Sequence, residues 1–575
     1  MKRSILTSVS VAALFAAVPA MAQNNSSTVS QSGDAQAATV NQSGGNDVST
    51  IDQSNADNTA EVTQMGMTGG SSDIDQTGAG NTATVTQDDD STGAAPTQTS
   101  TILQDGDDNT ATVFQTQTSS TVSMGVLTTN DSTITQGGSG NTASASQADD
   151  GQFSSIDQSS DDNIATVTQG TDGAPEGSSF GTTYENTSIV SQGGDGDHMA
   201  TVDQNGFFNS STVNQTGESN TAGVTQDGSN GSSVVTQSGS NAFATVVQGA
   251  GNNNDSEITQ SGDGADAMVS QTGNDNESDV IQASGAEADV MQSGNNNTSY
   301  ALQSGSAGGS TVDISQTGNS NFAKSEQSSA NGDVDIIQNG DSNNAQAKQE
   351  GGVAGSDLSI NQQGNGNYTF FQQNSFAAGS DADIDQIGSD NKVEGFQRGG
   401  GAQAATLLQN GNNAQGYTYQ GGSGGNTLGL TQGGDGNMAQ ITQGGTSDPA
   451  VFPPKGHDNQ SVTDNPASGD NMATVEQIGT VNIAQVSQDG NGDIASIDQD
   501  GNSNESRIFQ DFASVGNEAT STQTGEDNIS LIMQTGVGNT ATVSQSSSGN
   551  NSTVNQSGSG NIATVAQGGA GALPN

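Results

Sequence analysis

Through the C-terminal part of the chain inward and outward side chains alternate one by one, and the alternation restarts every eleven residues. Gln523, Gln534, Gln545, Gln556 and Gln567 mark the period. Six residues before each stand Asn517, Asn528, Asn539, Asn550 and Asn561, and four before stand the small Ala519, Ser530, Ala541, Ser552 and Ala563. Two before stand Ser521, Ile532, Val543, Val554 and Val565. The positions between are polar, as Thr540, Thr542 and Ser544, and Gly525, Gly536 and Gly558 follow two after their glutamines. Alternation of this kind is the period of a strand with one face turned inward. Gly and Asn then supply a tight turn. Nothing apolar recurs at the three-to-four spacing of a helix. The spacing predicts an all-β fold, a β-solenoid of stacked strand-turn-strand repeats with two facing, cross-β-like sheets.

A single unit cannot stand alone. Its inward Ala and Val contribute about 2–4 kcal/mol of burial, whereas ordering eleven backbones costs roughly 11–20 kcal/mol. Stacking closes the deficit by pairing every strand above and below. It also gives the inward amides partners, since a buried unpaired amide costs about 1–3 kcal/mol. The predicted structural ladder includes Gln76, Asn81 and Gln87, then Gln215, Asn220 and Gln226, then Gln534, Asn539, Gln545, Gln556, Asn561 and Gln567. About 45 half-units make roughly 22 rungs, and at about 4.8 Å per rung the stack is ~105 Å tall.

The pattern also sets the boundaries. Residues 23–443 carry the repeat, with inserts near 88–100, 116–130 and 170–187. A proline-containing insert spans 444–470, the repeat returns over 471–567, and 568–575 is a tail. Proline lacks the N–H that an inner ladder position needs. Accordingly Pro96, Pro175, Pro449, Pro453, Pro454 and Pro466 all fall in inserts.

Composition changes this picture in two ways. The 575 residues include 80 Gly, 28% hydrophobic and 3% aromatic residues, with no Trp and no Cys, which is too little bulk for a conventional core. The formal charge of −55 disfavours binding to nucleic acid or to anionic lipid and keeps separate copies apart, and no apolar run is long enough for a membrane span, so no membrane insertion is expected. Disorder before assembly is therefore expected. Residues 1–22 read as a secretory signal peptide, with basic Lys2 and Arg3, an apolar run from Ile5 to Val18, and Ala20-Met21-Ala22 before Gln23.

The glutamine-to-glutamine unit resembles the curlin repeat, Ser-x5-Gln-x-Gly-x2-Asn-x-Ala-x3-Gln, which builds the curli fibres of Gram-negative bacteria. It stands at Gln104, Gly106, Asn109, Ala111 and Gln115, again from Gln215 to Gln226, and from Gln316 to Gln327. It recurs from Gln432 to Gln443, Gln477 to Gln488, Gln534 to Gln545 and Gln556 to Gln567. The family's first Ser is usually Asn, Gly or Asp here, with Ser nearer four before (Ser211, Ser506, Ser552), and the chain is far longer than the five-repeat subunits typical of the family. The resemblance implies a secreted, self-associating amyloid fibre subunit, a fimbria-like component of cell adhesion and biofilm matrix. Its implied partners are further copies, a curli-type secretion channel and a nucleator. The alternative is a monomeric surface adhesin or a calcium-tuned solenoid.

No enzyme is expected, and no catalytic, cofactor or metal site. His198 and His457 are the only histidines, read here as turn or insert residues, and no Gly-x-Ser-x-Gly elbow or metal-spaced cluster occurs. The abundant carboxylates read as solvated outward or turn positions. Asp489-Gly-Asn491-Gly-Asp493 resembles the start of a calcium loop, but Ile494 and Asp500 stand where Gly and Glu are needed. Gly193 to Asp197 has no nine-residue period behind it. Turn chemistry accounts for both. Outward threonines such as Thr82, Thr84, Thr86, Thr110 and Thr112 resemble the flat ladders of ice-binding solenoids, though β-propensity and solubility suffice. Phe370, Phe371, Tyr417 and Tyr419 read as local packing, and outward Asp75, Asp157 and Asp385 as gatekeepers against premature pairing.

Overall fold

A computed structural model describes residues 24–89, 97–117, 129–148, 151–170, 185–305, 308–328, 331–351, 355–374, 379–398, 401–447, 462–464 and 469–568. The signal-like segment, His457 and all eight prolines lie outside the described residues. Among the described residues there are 46 strands and no helix, numbered β1 to β46 in chain order.

The strands form two parallel sheets of 22 strands each. Sheet A begins with β1 (Ser26–Asp34), β3 (Val48–Ala56) and β5 (Ser71–Gln76), each pairing with the next odd-numbered strand. Sheet B begins with β2 (Ala37–Gly45), β4 (Thr59–Thr68) and β6 (Thr82–Asp89) in the same manner. The chain therefore alternates between sheets at every turn, and two consecutive strands make one rung of a β-solenoid. Pairing is in register, residue type on residue type. Between β14 (Met199–Gln204) and β16 (Thr221–Gln226), Ala200 meets Ala222, Val202 meets Val224 and Gln204 meets Gln226. A slip of one residue would turn this inward set to solvent.

β14 buries Ala200, Val202 and Gln204 and leaves Met199 and Thr201 exposed. The core is the sum of such positions, running as one cluster from Ile51 to Val554. The inward small residue differs between the sheets. From β13 (Thr187–Gln192) to β22 (Glu287–Asn295) it is Ser188, Ser211, Ser233, Ser256 and Ser278 in sheet A, and Ala200, Ala222, Ala244, Ala267 and Ala288 in sheet B.

Turns enter the next strand through a residue of positive φ, filled by Asp108, Asn241 and Asp275, and less comfortably by Phe208 and Val481. The glycine two after the glutamine answers a second demand. A Cβ on Gly106 would come within 1.9 Å of the Gly138 carbonyl oxygen of the next rung. Strands overlap the borders of the predicted inserts: β6 runs to Asp89 and β7 (Thr99–Gln104) starts at Thr99. Within 444–470, β36 (Gly445–Ser447) pairs antiparallel with β37 (Val462–Asp464) and lies against β35 (Met438–Gln443) and β39 (Ile483–Gln488).

Candidate functional site

The inward glutamines form two unbroken columns, one per sheet. Each donates one Nε2–H to Oε1 of the glutamine in the next rung, at 2.7–3.1 Å. Gln76 accepts from Gln53 and donates to Gln104, and Gln215 accepts from Gln192 and donates to Gln237. Gln534 donates to Gln556. In sheet B, Gln87 donates to Gln115, Gln226 to Gln248, and Gln545 to Gln567. The second Nε2–H crosses the core to the opposite sheet, as Gln87 to the Ser71 carbonyl at 3.1 Å and Gln226 to that of Ser210 at 3.1 Å. Each amide thus joins rung to rung and sheet to sheet, with both protons used.

The asparagines act differently from a simple amide ladder. The backbone N–H of a ladder asparagine donates to the inward side chain of the rung before, as Asn81 to Oδ1 of Asn58 and Asn539 to Oδ1 of Asn517. The Nδ2 group reaches a carbonyl of the bend in the next rung. Asn81 reaches Gly106 at 2.7 Å, Asn220 reaches Gly239 at 2.7 Å and Asn539 reaches Gly558 at 3.0 Å. Standing one residue before the strand, the side chain braces the turn, and in some rungs its Nδ2 group also donates to Oδ1 of the asparagine in the rung before, as Asn297 to Asn276 at 3.1 Å and Asn561 to Asn539 at 2.9 Å.

Three titratable residues replace asparagine in this position, and sequence pattern did not reveal them as inward. His198 is buried, not in a turn: its Nε2–H donates to the Gly193 carbonyl at 2.7 Å, and Nδ1 accepts the Asn220 N–H at 3.2 Å. Burial lowers its pKa, with the Gly193 hydrogen bond and Asp197 acting the other way. Asp47 and Asp493 are buried as well, against the reading of all carboxylates as outward or turn residues. Burial raises both pKa values. The Asp493 carboxylate accepts from the Ser514 hydroxyl and the Asn517 N–H, so it serves the ladder, not a calcium loop. The signal that locates all three is their distance from the next glutamine, six residues in each case.

The other candidates sort by face. Phe371 points into the core, and Tyr417 and Tyr419 are buried although they stand on the outward side of β33 (Gln415–Gln420). Asp75 stands outward on β5, with Asp52 beside it in register, and burial and then Asp52 raise its pKa. Asp385 accepts from Asn361 at 2.9 Å. Thr82 and Thr110 are paired in register on neighbouring strands of sheet B.

At the two ends the columns stop. Gln31 and Gln42 begin them in β1 and β2, and Gln556 and Gln567 finish them in β45 (Asn551–Ser559) and β46 (Ile562–Gln567). Among the described residues each of these four strands is paired on one side only. Ile562 is 81% exposed there, and Asn561 and Gln567, buried in type elsewhere, become partly exposed.

This architecture defines the chain as a parallel two-sheet β-solenoid held by amide columns. The family profile of the curlin associated repeat matches residues 197–228, 232–262 and 251–283, so this stretch of the solenoid carries curlin repeats. No curated protein matches the chain.

Proposed function

We propose that the chain is a secreted structural subunit that assembles end to end into extracellular curli-like amyloid fibres, serving adhesion and biofilm matrix outside a Gram-negative cell. The curlin repeat and the solenoid fold support a structural, non-catalytic role. The observation that carries the fibre reading is the likeness of the two ends. β45 reads Asn-Ser-Thr-Val-Asn-Gln-Ser-Gly-Ser and β1 reads Ser-Ser-Thr-Val-Ser-Gln-Ser-Gly-Asp. β46 reads Ile-Ala-Thr-Val-Ala-Gln and β2 begins Ala-Ala-Thr-Val-Asn-Gln. One copy can therefore follow another as one rung follows the next. Gln556 and Gln567 would donate to Gln31 and Gln42 of the following copy, and Val554 and Val565 would cover Val29 and Val40. Open strand edges of this kind template further pairing, and a head-to-tail contact that does not close gives a filament.

Purified chain starting at Gln23 should form fibres that bind amyloid dye, seed fresh protein and give a meridional reflection near ~4.8 Å. A stable monomer whose β content depends on calcium would overturn this reading in favour of the monomeric adhesin.

A further inference from the structure

The two outer faces of the same rungs carry opposite chemistry. All five described basic residues stand outward on sheet A, and four of them, Lys324, Lys348, Lys392 and Arg398, fall on nearby rungs. They lie on β25 (Phe322–Gln327), β27 (Asn344–Glu350) and β31 (Lys392–Arg398). Each lysine is held by a glutamate on its own face: Lys348 lies 3.2 Å from Glu326 and 2.8 Å from Glu350, and Lys392 lies 2.8 Å from Glu394. Lys392 also rests over the rings of Tyr368 and Tyr417, and Arg398, at the exposed strand end, over Phe396. The strip ends on β31, where the outward Glu394 and Phe396 are themselves buried, as are the outward Tyr417 and Gln440 beyond it.

Sheet B of those rungs comprises β24 (Thr311–Asn319), β26 (Asp333–Asn339), β28 (Asp357–Gln363) and β30 (Asp381–Ile387). Its outward residues include Asp313, Asp333, Asp335, Asp357, Asp381 and Asp383, and no base. Parallel pairing stacks Asp333, Asp357 and Asp381 directly over one another. Five of these six, all but Asp313, line a surface groove with Ser359 and Thr406. Burial raises the pKa values of Asp335, Asp357 and Asp383, and neighbouring aspartates add to each. The groove thus holds a column of negative charge with no counter-charge of its own.

We propose that the lysine–arginine strip on sheet A of one copy docks in the aspartate groove on sheet B of a second copy, so that solenoids associate side by side. Opposing two grooves would set carboxylates against carboxylates, whereas strip on groove brings four cations, interleaved with only three glutamates, against the aspartates. Strip and groove lie at the same height on opposite faces. Every copy therefore offers one to each neighbour, and the contact repeats without closing, which makes a flat ribbon. This association uses the long faces and is independent of growth at the ends.

The test uses full-length chain in chelator, at low and at high salt, with width read by electron microscopy and association by sedimentation. Wild type should form ribbons at low salt that separate at high salt. K324Q/K348Q/K392Q/R398Q and D333N/D357N/D381N/D383N should each lower side-by-side association at least tenfold, with seeded elongation and circular dichroism unchanged. The exchanged variants K324E/K348E/K392E/R398E and D333K/D357K/D381K/D383K should associate when mixed and not alone. Unchanged width in both neutral variants overturns the proposal, as does a folded mixture that stays apart. Ribbons of the lysine–arginine variant that form only with added calcium would assign the groove to a cation layer instead, and also overturn it. If no filaments form at all, salt-sensitive pairs in sedimentation still support the lateral contact while the fibre reading fails.

Discussion

The rungs from β13 to β22 and those from β23 (Thr298–Gln303) to β34 (Thr427–Gly433) hold the same amide columns around different cores. In the first group the fill is uniform: Ser and Val or Ile in sheet A face Ala and Val in sheet B. In the second, sheet A shrinks to Ala301, Ser325 and Ala347 while sheet B swells to Ile314, Ile336 and Ile360. Phe371 then crosses the core from sheet A, and the next position in its column is Gly395. A Cβ there would lie 2.2 Å from the Phe371 ring, and the Thr418 hydroxyl behind would be at 2.8 Å. Apolar volume is exchanged between sheets while the spacing across the core is kept. The amides set the frame, and the apolar residues fill it.

The largest break in this comparison should come from Phe371→Ala, which leaves a cavity in one rung and should lower local stability by about 3–5 kcal/mol. Gly395→Ala should cost about 1–3 kcal/mol by crowding the ring, and much less in the Phe371→Ala background. Hydrogen exchange of the flanking strands reads both. Equal cost in both backgrounds would separate the two residues and end the argument for exchanged volume.

Glutamine loss should be indifferent to the region. Gln237→Ala in the uniform rungs and Gln373→Ala in the exchanged ones each strand a buried amide neighbour. Each should cost about 1–3 kcal/mol by the same exchange measurement. A cost confined to one region would show that the columns are not the common frame.

In the uniform rungs the buried Oγ atoms of Ser211, Ser233, Ser256 and Ser278 have no hydrogen-bond partner. Ser233→Ala should therefore stabilise by about 1 kcal/mol, seen as slower exchange. Faster exchange would mean that the hydroxyl does bond.

The smallest effects concern pH. Burial, then Glu277, Glu257 and Asp255, push the Asp279 carboxyl up to about 6, so folding favours its protonated form. Its contribution is complete below the ordinary carboxylate value and is lost as pH rises through about 6. His198, held below its ordinary value by burial, does the reverse, although Asp195 and Asp197 partly counter the shift. Its contribution is complete above the ordinary histidine value and is lost as pH falls through the lowered one. Asp279→Asn should remove the loss on the alkaline side, and His198→Asn the loss on the acid side. Urea midpoints between pH 4.5 and 7.5 check both; unchanged curves would mean that neither group titrates in folding.

Strands, stacking and the glutamine columns were legible because they repeat at one fixed spacing that each residue type obeys. The separate serine and alanine sides of the core repeat only every second unit, so within one unit they read merely as small. His198 and Asp493 were missed because their side chains suggest a turn or a metal loop, while their place in the period makes them inward. Tyr417 and Tyr419 read as packing residues and are buried, but that they pack on the outward face was not legible, since it depends on what covers that face and not on the strand that carries them. The pairing of Gly395 with Phe371 is a contact between neighbouring rungs whose sequence separation carries no mark of its own.

The glutamine columns all point one way, Nε2 toward the C-terminal end and Oε1 toward the N-terminal end. A thread of such molecules has a front and a back that cannot be interchanged, and the two tips greet an arriving molecule with different groups. In the proposed fibre the two tips would therefore grow at different rates, and a decoy shaped for one tip would halt that tip and leave the other running.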